Sequence, residues 1–426
     1  MRKIRVLTAA AVTTLLGLSA CAVGEPIGND SSEGKQITFL TFETPNLTPE
    51  YWDASIERAL EDMPGVSVER LVSPTQDRTA YAQQLLASGQ FPDVMIAVSP
   101  SGFAESGNLY PWKPEELEKF LCPECGAIEG EVYQLPANSQ AIPMVYYNED
   151  LFAKAGIKAA PTTYKELLDA SARLKEAGIT PFVVGGGHDS LGPTWSGILA
   201  TEVYAQNPNW MEDRRAGEVQ FSDPEFVSAA AKLAELADKG FIDERDLSLD
   251  YAGAQQAFLD GEAAMYPMGN WFAAAADNPD TKPDFEIGQF FWPSNDGEVV
   301  APTYTGGGLL VNGKSENLEA AKEFALAWQL DPENLDASVV NDGLIPAIEG
   351  YTPPSEAGPV FMEGYELWQQ AQEEDAVVNA FGFMAGDAAM LPGVVPDWDA
   401  SAEDLVTGRK TPEEVAAFLD VQWEKG

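Results

Sequence analysis

Asp93-Val94-Met95-Ile96-Ala97-Val98 is an apolar run of the kind expected for a strand buried on both faces of a parallel sheet. Two candidate strands precede it, at residues 36–42, which alternate in the β manner, and at residues 65–71. The segments between them, 49–63 and 77–88, favour helices. This order of strand, helix, strand, helix and strand predicts the beginning of a doubly wound α/β fold.

The remainder of the chain continues the alternation of the two element types. Further strands are predicted at residues 142–148, 180–184, 263–268, 285–291 and 308–311. Helices are predicted at residues 149–155, 164–177, 195–206, 224–239, 253–260, 318–330 and 412–423. We therefore expect two α/β lobes, with the chain crossing between them more than once.

Length and charge narrow the classes of function. The 426 residues suffice for two or three domains, and a hydrophobic share of 45% with ten Trp supports packed cores. Lys and Arg number 25 against 68 Asp and Glu, a net charge of −43, which opposes a nucleic-acid partner. Because His188 is the only histidine, a multi-histidine metal site is excluded and a His-based triad is disfavoured. We predict no metal, no cofactor and no catalytic residue.

The N-terminus has the features of a bacterial export signal. Three of the first five residues are basic, and residues 6–18 are an apolar and small-residue run too short to span a bilayer. The run ends in Leu18-Ser19-Ala20-Cys21, which resembles the lipobox of bacterial lipoproteins, in which the cysteine is acylated. We predict that residues 1–20 are a lipoprotein signal peptide and that Cys21 carries the lipid. The alternative is an ordinary secretory signal in which Cys21 is incidental.

The segment after the lipobox predicts how the protein is held. Residues 21–35 are rich in Gly, Ser, Glu and Asp, which favours a flexible tether. The expected location is therefore the extracytoplasmic face of the cell membrane, with a lipid anchor. Cleavage after Ala20 leaves 22 basic and 68 acidic residues, a net charge of −46.

Three other motifs resemble sites of metal, redox or phosphate chemistry. Cys122-Pro123-Glu124-Cys125 is compatible with a local disulfide, a redox pair or half a zinc site, and its sequence context favours the disulfide. Residues 308–315 fit the phosphate-loop spacing, but Leu309-Leu310-Val311 predicts a strand core there. Residues 185–188 lack the spacing of a dinucleotide loop and favour a connection between elements.

Two tryptophans stand where side chains can line a cleft. Trp195 lies between Pro193 and Gly197, and Trp271 follows Gly269-Asn270. Large aromatic residues beside Gly and Pro lie at the ends of elements, and an aromatic plane can stack on the apolar face of a sugar ring. Packing in a core is the alternative for either residue.

Several segments, taken in order, resemble the extracellular solute-binding proteins of family 1. These are maltose-binding-protein-like, sugar-binding components of ABC importers. The resemblance extends from about Gln36 to the C-terminus, and each segment alone is modestly specific. The segments lie at residues 86–94, 144–157, 161–167, 258–265, 269–271, 306–311 and 411–414.

The resemblance implies a periplasmic-binding-protein-like α/β fold. Two lobes are joined by a hinge of several segments, and a ligand cleft lies between them. Matching by motif assigns 36–142 plus 305–346 to lobe 1, and 143–304 plus 347–426 to lobe 2. The crossings are expected near residues 140–143, 304–309 and 344–348.

The same resemblance suggests contacts in the ligand site. The loop after the first strand, the loop after the Pro92-Asp93 strand and the Trp of the Gly-x-Trp motif contribute in the family. Where maltose-binding protein has Trp and Asp in the second of these loops, this chain has Ala97 and Pro100, so the ligand need not be maltose. The predicted ligand-binding set is Phe42, Glu43, Ser99, Ser101, Gln140, Trp195, Asn270, Trp271, Gly306 and Gly307.

Together these features predict a monomeric, lipid-anchored receptor rather than an enzyme. It would capture a carbohydrate, of the oligosaccharide type, and deliver it to the permease of an ABC importer. One alternative is a secreted glycan hydrolase, which needs two carboxylates at catalytic spacing. The other is a receptor of the same fold for a non-sugar ligand, such as an organic acid or a metal chelate.

Overall fold

The computed structural model describes residues 27–28, 34–75 and 77–425. The predicted signal peptide and Cys21 lie outside the described residues. In chain order the strands are β1 (Ile27–Gly28), β2 (Lys35–Thr41), β3 (Val66–Val72), β4 (Val94–Ile96), β5 (Asn138–Ala141), β6 (Met144–Asn148), β7 (Thr180–Phe182), β8 (Ala263–Met268), β9 (Ile287–Phe291), β10 (Ala301–Gly306), β11 (Leu309–Val311), β12 (Ile345–Pro346) and β13 (Val377–Asn379).

The helices cover most of the remaining chain, and several begin at side-chain caps. Thr163 and Glu166 form a capping box at the start of the helix Tyr164–Glu176, and Thr411 and Glu414 form one at the start of the helix Pro412–Trp423. The helices are α1 (Pro49–Ala59), α2 (Arg78–Ala87), α3 (Glu149–Lys154), α4 (Tyr164–Glu176), α5 (His188–Leu199), α6 (Trp210–Ala216), α7 (Pro224–Asp238), α8 (Tyr251–Leu259), α9 (Phe272–Asp277), α10 (Leu318–Leu330), α11 (Pro332–Asp342), α12 (Pro359–Glu373), α13 (Val395–Val406) and α14 (Pro412–Trp423). A π-helical turn, Ala200–Tyr204, continues α5.

The first sheet has the order β1-β3-β2-β4-β11. Strand β2 runs parallel to both β3 and β4, so the predicted doubly wound beginning is confirmed. Strand β4 is shorter than predicted, because Ala97 adopts a left-handed conformation (φ 52°) that turns the chain away after Ile96. Leu309–Val311 is a buried strand, as predicted in place of a phosphate loop.

Part of the predicted tether is ordered on this sheet. Ile27 and Gly28 pair antiparallel with Val68 and Ser67 of β3. Ile27 also packs against the hydrophobic cluster that contains Phe39 of β2. Pairing satisfies the backbone groups that β3 would otherwise present at the edge of the sheet. Lys35, the last residue assigned to the tether, already belongs to β2. The expectation of a flexible segment over all of 21–35 is therefore wrong for these residues.

A second sheet, β7-β8-β6-β9, is built from strands between residues 144 and 291. A third sheet, β12-β5-β10-β13, forms where the segments predicted to cross between lobes come together. Strand β5 pairs antiparallel with both β10 and β12. The cis peptide Ile142-Pro143 joins β5 of the third sheet to β6 of the second.

The cores follow the same division. One cluster holds Phe39, Trp52, Phe324 and Trp328 beside the first sheet. Two others hold residues from Ala141 onward, with Trp195 in one and Tyr266 in the other. Helix α11 contributes to two of these clusters: Leu335 belongs to the cluster beside the first sheet, and Val339 belongs to the cluster that contains Tyr266. This separation supports the lobe boundaries, which stay a prediction.

Cys122 and Cys125 form a disulfide, with their Cα atoms 5.4 Å apart. Its loop spans a sequence separation of three residues, and a loop this short removes little chain entropy on closure. The described part of the chain contains no cluster of three or more His, Cys, Asp or Glu placed to hold a metal ion. None of its helices combines the length and apolar character needed to cross a membrane.

Candidate functional site

A cavity of about 50 Å³ lies at the carboxyl edge of the first sheet. Phe42 directly follows β2, and Ile96 and Ala97 stand at the end of β4. Ligands of open α/β sheets bind at this edge, where the loops after parallel strands meet. The other lining residues come from α1, β5, α10, α11 and the turns beside them: Leu47, Tyr51, Trp52, Asn138, Gln140, Gly307, Trp328, Gln329, Asn334, Leu335, Ser338, Asp342 and Leu344.

Aromatic rings form one wall of the cavity. Trp52 and Trp328 stack with their centroids 6.1 Å apart, and Phe42 meets Trp52 edge-on at 5.5 Å. The Arg78 guanidinium lies 4.3 Å from the centre of the Phe42 ring and donates from Nε to the Ala97 carbonyl at 3.0 Å. The cation–π contact and this hydrogen bond fix Arg78 at the rim of the cavity.

Buried polar atoms are concentrated around the same cavity. Asn138, Gln140 and Gln329 are each at most 6% exposed. Their side-chain oxygens have no hydrogen-bond partner among the described residues, and neither do the indole nitrogens of Trp52 and Trp328. An unpaired buried polar group costs about 1–3 kcal/mol, so a bound molecule with hydroxyl groups would be stabilised here by both acceptors and donors.

Asp342 is the carboxylate of the cavity and the last residue of α11, which ends at Gly343 in the left-handed conformation (φ 58°). Burial raises the pKa of the Asp342 carboxyl well above its ordinary value, and the charge of Arg78 opposes this rise. The negative end of the helix dipole acts in the same direction as burial. Asn334, by contrast, is saturated, because it accepts from Arg58 Nε at 2.6 Å and donates to the carbonyls of Ser55 and Trp328.

Three of the predicted ligand-binding residues, Phe42, Gln140 and Gly307, come together in this cavity. Gly307 has φ 70°, and a Cβ there would lie 3.4 Å from Gln140 Nε2. Its conformation and this close approach both favour glycine. The assignment of these three residues to ligand binding stays a prediction, which their shared location supports.

The loop residues Glu43, Ser99 and Ser101 lie outside the cavity lining. Glu43 is exposed and forms a salt bridge at 3.0 Å with Arg70 on β3. The Ser99 N–H donates to Thr79 Oγ1 at 3.0 Å, and the Ser101 N–H donates to Ser99 Oγ at 3.4 Å. The left-handed turn at Ala97 redirects the chain before these serines, so in this conformation they shape the loop.

Trp195 belongs to the core and not to a cleft. The residue is 1% exposed and stacks on Trp398 at 5.6 Å, with Phe226 edge-on at 5.8 Å. Gly197, two residues further along, leaves no room for a side chain beside Pro143 and Trp292. The neighbouring Gly and Pro therefore permit close helix packing, and the assignment of Trp195 to ligand binding is wrong.

Asn270 links segments of the hinge. Its Oδ1 accepts from the Ala141 N–H at 2.9 Å, and its Nδ2 donates to the Gly343 carbonyl at 2.5 Å. Because both ends of the amide are engaged, Asn270 connects β5 to the end of α11 and has a structural role in this conformation. Trp271 is half-buried and does not line the cavity, and its backbone lies close to Gly343, where an added Cβ would be 3.1 Å from the Trp271 Cα.

Gly306 makes room for an aromatic ring. A Cβ at this position would lie 2.2 Å from the Tyr304 ring, which stacks on Phe383 at 6.3 Å. The requirement for glycine at 306 therefore has a packing explanation, and the residue does not line the cavity. Sugar stacking by Trp271 stays a prediction.

Much of the lining was missed by reasoning from the sequence. Residues of α1, α10 and α11 carry no local motif, because an aromatic or amide side chain on a helix reads as core or surface until its neighbours are known. Asn138 lies just before a predicted crossing, which is the one signal that could have found it. The missed residues are Leu47, Tyr51, Trp52, Ile96, Ala97, Asn138, Trp328, Gln329, Asn334, Leu335, Ser338, Asp342 and Leu344.

Two α/β lobes connected through a shared small sheet, with a polar and aromatic cavity at a strand edge, define the class of periplasmic binding folds. Residues 44–336 match the family described as bacterial extracellular solute-binding protein, and the chain belongs to that family.

Individual relatives and structures are more distant. The sn-glycerol-3-phosphate-binding periplasmic protein of Escherichia coli is 25% identical over 316 residues, covering 70% of this chain and 67% of the relative. A chitin oligosaccharide binding protein superposes with a TM-score of 0.79 at 24% identity, covering 92% of this chain and 99% of that one. An ABC substrate-binding protein of Listeria monocytogenes in complex with cycloalternan gives 0.72 at 20% identity, covering 92% and 98%.

Proposed function

We propose that this protein is a lipid-anchored receptor on the extracytoplasmic face of the cell membrane, which binds an oligosaccharide and presents it to an ABC importer permease. The observation that carries the proposal is the cavity at the carboxyl edge of the first sheet. There, aromatic rings adjoin carboxamide oxygens and indole nitrogens that have no hydrogen-bond partner among the residues the structure describes. Sugar hydroxyls donate and accept hydrogen bonds at once, so they complement both kinds of group.

The size of the cavity favours a receptor whose lobes move. At about 50 Å³, the cavity is far smaller than the roughly 300–1,000 Å³ of ordinary ligand pockets. A sugar ring is larger, so we infer that ligand enters when the lobes separate around the third sheet. Hinge closure around a ligand that contacts both lobes then favours the closed state.

The hydrolase alternative receives little support from the lining. Glycoside hydrolysis ordinarily requires a pair of carboxylates about 5–10 Å apart. Asp342 is the single Asp or Glu among the described residues that line the cavity. We therefore keep binding without turnover as the proposed activity.

A phosphorylated ligand is the second candidate, because the Escherichia coli relative is named for sn-glycerol-3-phosphate. Arg78 at the rim could contact a phosphate, but its guanidinium already engages Ala97 and the Phe42 ring. At pH values above its raised pKa, the negative charge of Asp342 opposes a second anion in the same space. We therefore propose the neutral sugar.

A thermal-shift panel tests the function. We expect triacetylchitotriose, maltotriose or raffinose to raise the melting temperature, because a ligand bound at 100 times its Kd stabilises the folded state by about 2.7 kcal/mol. Glycerol and mannitol are polyol controls that should give no shift. A shift from sn-glycerol-3-phosphate alone, or release of smaller sugars during incubation, would contradict the proposal.

Lipid anchoring is tested separately by Cys21→Ser. Removing the thiol prevents acylation, so we expect the variant in the medium or as uncut precursor, while the parent stays with the membrane until detergent is added. Two acyl chains make such attachment stable, since a single chain binds only marginally. Fractionation of Cys122→Ser/Cys125→Ser, which keeps Cys21, serves as the control. Unchanged, detergent-dependent retention of Cys21→Ser would show that no lipid at Cys21 is needed.

A further inference from the structure

We propose that Asp342 determines the charge of the ligand: its carboxylate accepts hydroxyl hydrogens from a neutral polyhydroxy compound and repels ligands that carry phosphate or carboxylate. This inference rests on the proposed function and assigns a specificity residue within the same site. No sequence motif marks Asp342, and it was absent from the predicted ligand-binding set.

The cavity lining offers more hydrogen-bond acceptors than donors. Asp342 shares the cavity with the carboxamide oxygens of Asn138, Gln140 and Gln329. Those three oxygens have no hydrogen-bond partner among the described residues. On the donor side are the indole N–H groups of Trp52 and Trp328. Ionised phosphate and carboxylate groups present mainly acceptor oxygens, so they would leave the acceptor-rich side of the cavity unsatisfied. Hydroxyl groups satisfy both sides.

Two arginines near the cavity already bond groups of the protein. Arg78, on α2, is the cation that acts on the Asp342 carboxyl. Its Nε donates to the Ala97 carbonyl, and its guanidinium covers Phe42. Arg58, on α1, donates to Asn334 Oδ1 at 2.6 Å. Both arginines therefore already bond groups of the protein, and an anion that enters the cavity would lie close to Asp342.

The ionisation of Asp342 gives the proposal a signature in pH. An ionised carboxylate accepts hydroxyl hydrogens more strongly than a protonated one. Because burial raises its pKa, affinity should be complete above that raised value and should fall as pH decreases through it. The other titratable or charged groups that act on this part of the cavity are Tyr51 and Arg58 from α1 and Arg78 from α2.

The experiment compares Asp342→Asn with Glu333→Gln, an exposed residue on the same helix. Affinities for triacetylchitotriose, maltotriose, raffinose and sn-glycerol-3-phosphate are measured by calorimetry across a pH series. For the sugar that binds, we expect Asp342→Asn to lower the affinity about 10- to 100-fold, as removal of a charged hydrogen bond predicts. The affinity of this variant should also no longer fall as the pH is lowered. Glu333→Gln should match the parent protein. Asp342→Glu, which keeps the charge, should retain the decline with acid.

The outcomes separate this inference from the proposed function. If a sugar binds the parent and Asp342→Asn binds it with the same affinity and pH profile, the role of Asp342 is wrong while the receptor function stands. If sn-glycerol-3-phosphate binds the parent more tightly than any sugar, both are overturned. If none of the sugars binds, the proposed function fails and this inference fails with it. Melting temperatures of the unliganded variants identify any loss that arises from misfolding.

Discussion

Trp195→Ala is expected to lower the free energy of unfolding by about 3–5 kcal/mol, since it removes a large ring from a close-packed core. The Trp195 ring is enclosed by Trp398 and Phe226 and is 1% exposed, so the surrounding residues cannot easily fill the space. Denaturant unfolding followed by circular dichroism measures the change as a lower transition midpoint.

Trp271→Ala is the matched control, because it removes the same side chain from a half-buried position. Its stability loss should be smaller, and its effect should be clearer on sugar affinity than on unfolding. If Trp195→Ala unfolds at the midpoint of the parent protein but loses sugar affinity, then Trp195 contacts ligand and its placement in the core is wrong.

Lys232→Met is expected to cost about 3–5 kcal/mol, because it leaves a buried carboxylate without its partner. Lys232 Nζ lies 2.5 Å from Glu202 Oε1 and 2.8 Å from Asn295 Oδ1, and 4.0 Å from the centre of the Tyr164 ring. Glu202 lies in the π-helical turn after α5 and is 5% exposed. Losing the ammonium therefore removes the positive charge that α7 brings to this turn and leaves the Ser228 hydroxyl, at 2.9 Å from Glu202 Oε2, as the remaining α7 donor to that carboxylate.

The double variant Lys232→Met/Glu202→Gln tests the mechanism, since removing both charges is far less costly than stranding one. We expect it to regain much of the stability that Lys232→Met loses. Lys165→Met is the surface control: both it and its partner Asp169 are exposed, so the loss of stability should be far smaller than that of Lys232→Met. If the two single variants are equally stable, the buried pair does not contribute as proposed.

The candidate site was predictable where a residue directly follows a strand or lies in a crossing segment. Phe42 follows β2, while Gln140 and Gly307 lie in or beside the third sheet, and these three reached the cavity. A position relative to a strand end is a local property that transfers to the structure, because parallel strands present their carboxyl ends at one edge.

The Gly269-Asn270-Trp271 motif shows the limit of such reasoning. The family resemblance marked Asn270 and Trp271 as ligand contacts, but the amide of Asn270 is bonded at both ends within the protein. Nothing local distinguishes an amide that binds a sugar from one that binds a distant backbone group. Its partners, Ala141 and Gly343, lie 129 and 73 residues away along the chain.

By itself, the sequence determined the class of this protein, because the alternation of strands and helices and the net negative charge depend on short-range patterns or on composition. The tertiary structure alone decided that the crossing segments form a sheet of their own, that Trp195 is core, and that Asp342 joins Gln140 and Phe42 at one cavity. The physical reason is that burial and hydrogen-bond satisfaction depend on which distant segments pack together, and a residue's own neighbours in the chain carry little of that information.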